Sequence, residues 1–138
     1  MTKNEKLMIA IEEGNLKKTM KLVKNGANVN YRNFKYSICK KLTGKVNSYP
    51  DKNTSGNTPL MKAAKKGYLN IVKFLVKNNA DINHTNQNGK TALILIADNN
   101  NIEGVKFLIE NGAKIECIDN FWESRSERIF AIMNFKLK

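Results

Sequence analysis

The sequence predicts an all-α solenoid of stacked helix-turn-helix units joined by extended fingers. Three observations predict it. First, the stretch from Asn53 to Asn83, N-T-S-G-N-T-P-L-M-K-A-A-K-K-G-Y-L-N-I-V-K-F-L-V-K-N-N-A-D-I-N, returns 33 residues later. Gly56 maps onto Gly89, Thr58 onto Thr91, Leu60 onto Leu93, Ala64 onto Ala97 and Leu75 onto Leu108. Second, a further copy lies 53 residues upstream, where Leu60, Ala63, Gly67, Leu75 and Asn83 map back onto Leu7, Ala10, Gly14, Leu22 and Asn30. Third, apolar residues recur at helical spacing between residues that start and stop helices. A unit of this size cannot bury its own apolar face, so neighbours must stack.

Residues 4–30 form the first unit. Asn4 is its expected N-cap, with Leu7, Ala10 and Ile11 on one face. The other positions, Lys3, Glu5, Lys6, Glu12 and Glu13, are polar, as suits an end unit that meets water. Residues 31–52 interrupt the period with 20 extra residues, carrying six basic side chains and one acidic. Phe34, Tyr36 and Ile38 alternate with polar residues, Thr43-Gly44 offers a turn, and Val46 to Tyr49 offers a return strand. This reads as a finger lengthened into a β-hairpin. It is either a binding arm or a surface insertion that packs Tyr36 and Tyr49 on the first unit.

Residues 53–85 form the second unit. Thr58 is the expected N-cap, and Pro59 follows at the first helical position, where its missing N–H goes unnoticed. Leu60, Ala63 and Ala64 give a slim apolar face, and Gly67 ends the helix in a left-handed conformation. Leu69, Val72, Leu75 and Val76 give a second face, and Asn79 ends that helix. Ala80 to Gly89 is the finger leading onward. Residues 86–118 repeat the plan, with Ala92 for the proline and Asn100 for the glycine, a residue that also tolerates the left-handed form. Residues 119–138 begin a fourth unit. Ser124 and Glu127 match a capping box, and Ile129, Phe130, Ile132, Met133 and Phe135 continue a helix that would cover the last apolar face.

A 33-residue period carrying G-N-T-P-L-x-x-A-A-x-x-G with N-A-D-I-N, then G-K-T-A-L with N-G-A-K-I, closely resembles the ankyrin repeat. The resemblance covers about residues 5 to 122. Where that family usually has histidine after T-P-L, this chain has Met61 and Ile94. The resemblance implies a single domain, 1–138, that binds a partner through its concave side: finger tips and the exposed side of each first helix. By motif position those residues are Thr54, Ser55, Asn57, Lys65 and Lys66, then Gln87, Asn88, Lys90, Asp98 and Asn99. Phe121 and Trp122 fall at the last finger, with tryptophan in the glycine place. They are either an aromatic hot spot or packing for the C-terminal helix.

Charge narrows the partner. The chain carries 24 basic and 12 acidic residues, a net charge of +12. Stacked helices lie roughly 8–10 Å apart, so the column Glu12, Lys65, Asp98 alternates in sign. It is either an intramolecular ladder or a polar contact strip. Surplus positive charge lies in residues 31–52 and on the outward lysines Lys17, Lys21, Lys24, Lys73 and Lys77. An acidic protein surface is the expected partner of a monomer. The alternative is a polyanion, nucleic acid or acidic membrane surface, held by the insertion and those lysines.

Catalysis is not expected. No Ser-His-Asp, paired-carboxylate or phosphate-loop pattern stands out, and a nucleophilic Cys39 would need an activated thiolate. One histidine, His84, and two separated cysteines, Cys39 and Cys117, give no structural zinc set, and no cofactor is expected. Free thiols, the absence of a signal-peptide core and the short longest apolar run, Ala92 to Ala97, predict a cytoplasmic or otherwise intracellular protein.

Overall fold

The computed structural model describes residues 1–32 and 56–115. The expected hairpin in residues 31–52 and the C-terminal helix lie, almost wholly and wholly, outside the described residues. Among the described residues six helices make three antiparallel pairs: α1 (Lys3–Glu12) with α2 (Leu16–Lys24), α3 (Pro59–Lys66) with α4 (Leu69–Lys77), and α5 (Ala92–Asp98) with α6 (Ile102–Glu110). The first helices stack α1 on α3 on α5, and the second helices stack α2 on α4 on α6. Among the described residues there is no β-strand.

Five of the six described helices begin where a short polar side chain answers a free N–H group; α4, which follows Tyr68, has no such side-chain cap. Thr58 accepts from the Met61 N–H at 3.3 Å, with Pro59 in the first turn. Thr91 does the same for Ile94, Asn15 for Lys18, and Asn101 for Gly104. The first helix departs from expectation. Its cap is Thr2, not Asn4: Thr2 Oγ1 accepts from the Glu5 N–H, and Glu5 Oε2 accepts from the Thr2 N–H at 2.9 Å. Asn4 is used instead across the pair, its Oδ1 accepting from the Asn28 N–H at 2.8 Å. A capping box satisfies two orphan donors at once, which a lone Asn cannot.

Helix ends follow the repeat. Gly14, Gly67 and Asn100 occupy one position in the three pairs, and all are left-handed, with φ of 68°, 75° and 54°. Asn79 is left-handed too, at 66°, just past the end of α4. Between the layers lie Leu7, Ile11, Leu60, Ile71, Leu75, Leu93, Ile96 and Leu108, all effectively sealed from solvent. Met61 and Ile94 are buried apolar side chains. Gly104 lets α6 close on α5, since a Cβ there would collide with Ile96.

Two asparagines rivet one pair to the next. Asn30 donates to the Asn79 carbonyl and accepts from the Asp81 N–H, at 3.3 and 2.7 Å. One unit on, Asn83 donates to the Gly112 carbonyl and accepts from the Lys114 N–H, at 3.1 and 2.7 Å.

Thr58→Ala is expected to lower stability by about 1–2 kcal/mol, because the cap and its Met61 partner lie in a buried setting. Urea unfolding followed by circular dichroism checks this; a change below about 0.3 kcal/mol would show that another group takes over the cap.

Candidate functional site

The finger that joins the second and third pairs is organised by a residue the repeat pattern does not single out. Asn86 is 6 % exposed. Its Oδ1 accepts from the N–H groups of Asn88 and Lys90, at 2.9 and 3.0 Å. Its Nδ2 donates to Asn57 Oδ1 at 3.0 Å, and its own N–H donates to the Lys90 carbonyl. The Gly89 N–H closes the turn on the Asn86 carbonyl. The extended finger thereby closes on one tight turn. The available signal was Asn three residues before Gly, the pattern of a side chain folding over its own turn.

That network also corrects one expected contact residue. Asn57, placed by motif at an exposed finger tip, is 4 % exposed and spends its amide oxygen on Asn86. It ties one finger to the next rather than facing outward. Gln87 is exposed at the tip, and Asn88 and Lys90 are half-buried beside it. Thr54, Ser55, Phe121 and Trp122 lie outside the described residues.

The exposed ends of the first helices complete the surface. Lys65 and Lys66 are both exposed on the last turn of α3. Asn99 follows α5 and turns its amide back onto α3, donating to the carbonyls of Ala64, at 2.9 Å, and Lys65. It satisfies carbonyls that the helix end leaves open, so its side chain is structural as well as surface-lying.

The charges pair differently from the expected column. Glu12 meets Lys62 at 3.1 Å, not Lys65. Asp98 meets Lys90 of the finger at 3.8 Å. The hydrogen bond from Lys62 and its charge hold the Glu12 carboxyl below its ordinary value of 4.5, against an opposing effect of burial and with a lesser contribution from the Lys66 charge. The stability this pair contributes is present above that value and is lost as pH falls through the lowered one. With Glu12 and Asp98 engaged elsewhere, Lys65 and Lys66 take part in no ion pair among the described residues.

His84 bridges two segments of the chain. Its Nε2 lies 3.2 Å from the Gly56 carbonyl and its Nδ1 3.4 Å from the Arg32 guanidinium. A carbonyl only accepts and a guanidinium only donates, so Nε2 carries the proton and Nδ1 accepts. His84 therefore joins Arg32 to Gly56. Among the described residues no three His, Cys, Asp or Glu side chains gather as a metal site, and no buried side-chain polar atom lacks a partner. No helix of the described residues is long and apolar enough to cross a membrane.

The comparisons with known proteins agree with this arrangement. A family model described as ankyrin repeats, in three copies, matches residues 7–119. No curated protein matches the chain.

Proposed function

This chain belongs to the ankyrin-repeat family, and on that premise we propose that it is a non-catalytic adaptor, inhibitor or effector that grips one acidic partner protein. Ankyrin repeats generally mediate protein–protein interactions. The contact surface runs from the exposed end of α3 to the tip of the following finger, through Lys65, Lys66, Gln87, Asn88 and Lys90. The observation that carries this reading is the pair Lys65 and Lys66: both exposed, side by side, and in no ion pair among the described residues, while the nearby carboxylates of Glu12 and Asp98 are engaged by Lys62 and Lys90. Positive potential is left over at the centre of the face.

The mechanism is rigid presentation. Asn86 locks the finger and Asn99 locks the end of α3, so little conformational freedom is surrendered on binding. Exposed lysines steer an acidic partner and raise its on-rate at low salt. The protein works as a monomer, as a single domain.

The test is a pull-down of tagged protein from lysate, with and without nuclease, at low and moderate salt, followed by Lys66→Glu on the recovered partner. The reversal is expected to slow association about tenfold while leaving the melting temperature within a few degrees. A partner bound equally fast by the variant would move the contact surface away from α3. Recovery that vanishes with nuclease would replace the protein partner by a nucleic acid.

A further inference from the structure

The outward layer carries a second charged surface, distinct from the fingers. On α2 the exposed side chains Lys17, Met20, Lys21 and Lys24 fall at i, i+3, i+4 and i+7, a single stripe. Lys18 lies beside it and meets Glu13 at 3.4 Å. Neither α2 nor α4 contains an acidic residue. On α4 the matching stripe is Asn70, Lys73, Phe74 and Lys77; Lys73 is drawn to Glu103 at 3.4 Å and over the Phe107 ring at 5.8 Å. The charge is thus uneven. It is wholly basic on α2 and mixed at α6, where Glu103 and Glu110 outnumber Lys106.

Two features of α2 run against what the helix alone would favour. A helix N-terminus is its positive end, yet Lys17 and Lys18 stand in the first turn of α2, with no acidic residue there. Met20 is 45 % exposed in the middle of the lysines. Glu13 answers Lys18, but Lys17 takes part in no ion pair among the described residues and Met20 stays in solvent.

We propose that the outward face of α2, extended by Lys77 of α4, docks on an anionic lipid surface. Three lysines on one stripe of α2, with Lys77 of α4 as a fourth, make a basic face of the kind acidic headgroups attract, each lysine near the surface strengthening binding about fivefold. The stripe uses lysine alone. Lysine is a mobile point charge that suits a fluid sheet of headgroups, whereas arginine is the residue of fixed, bidentate phosphate recognition. Met20 supplies an apolar tip for the headgroup boundary, which a phosphodiester backbone has no place for. The proposal stands independently of the finger surface.

The experiment is co-sedimentation of the full chain with phosphatidylcholine vesicles, with and without phosphatidylserine, at low and moderate salt. The chain is expected to follow the phosphatidylserine vesicles alone and to release as salt rises. The triple variant K17Q/K21Q/K24Q is expected to lose about a hundredfold in partitioning, with an unchanged melt because all three side chains are exposed. Met20→Ser is expected to weaken partitioning by a smaller factor and serves as the second probe. Lys66→Glu is expected to retain vesicle binding, which separates this surface from the protein-binding one. Absence of wild-type partitioning, or partitioning that the triple variant and Met20→Ser leave intact, would overturn the proposal. So would duplex DNA binding more tightly than the vesicles with the same dependence on the three lysines.

Discussion

Leu60→Ala is expected to lower the free energy of unfolding by about 2–5 kcal/mol. Leu60 is fully buried in the first turn of α3, and α3 is the helix that touches α1, α4 and α5. Truncation removes transfer energy and leaves a cavity that helices fixed on three sides cannot close. The position matters as much as the volume. In a stacked array stability is shared between units and the interfaces that join them. α3 belongs to both interfaces of the first-helix layer, so damage there weakens all three pairs together. A domain of this size has about 5–15 kcal/mol in total, so the loss is a large part of it. A urea titration followed by circular dichroism reads the effect as a fall in midpoint. A loss below about 1 kcal/mol would mean that α3 is not the shared core.

Gly14→Ala is expected to cost about 2–4 kcal/mol, and Gly67→Ala only about 1–2 kcal/mol. The two glycines occupy equivalent positions and share the left-handed backbone, with φ of 68° and 75°. An added methyl is strained at both. At Gly14 it would also meet the Tyr68 ring at 3.0 Å, whereas at Gly67 the nearest atom is Asn99 Nδ2 at an ordinary 3.9 Å. The Tyr68 hydroxyl also lies 3.5 Å from the Glu12 carbonyl, a weak tether on the ring. Paired melts of the two variants isolate the ring contact; equal losses would show that the ring moves aside freely.

The architecture was legible because repetition doubles every clue. Thr58 and Thr91 cap as expected, and Gly67, Asn79 and Asn100 are left-handed where the pattern placed them. What escaped was any bond whose partner is distant in the chain. At the first helix the deciding signal is local, the Thr2–Glu5 capping box, while the use of Asn4 rests on Asn28, 24 residues away. Asn57 looks like any polar finger residue until Asn86 is brought beside it from 29 residues away. The charge column failed for a different reason. Repeat position gives the register of helix axes, but a lysine stem reaches beyond its own level. Side chains on a helix also lean toward its N-terminus. Glu12 therefore meets Lys62, one turn earlier than Lys65.

The asparagine rivets have a consequence for synthesis. Asn30 and Asn83 each belong to the earlier pair, and both of their partners lie on the later one: Asn79 and Asp81, then Gly112 and Lys114. A chain emerging from the ribosome exposes each clasp before the part it fastens. Synthesis therefore presents each fastener before the unit that it holds. A nascent chain arrested before residue 112 has its last clasp empty, and the array is locked at that joint only once Lys114 has emerged.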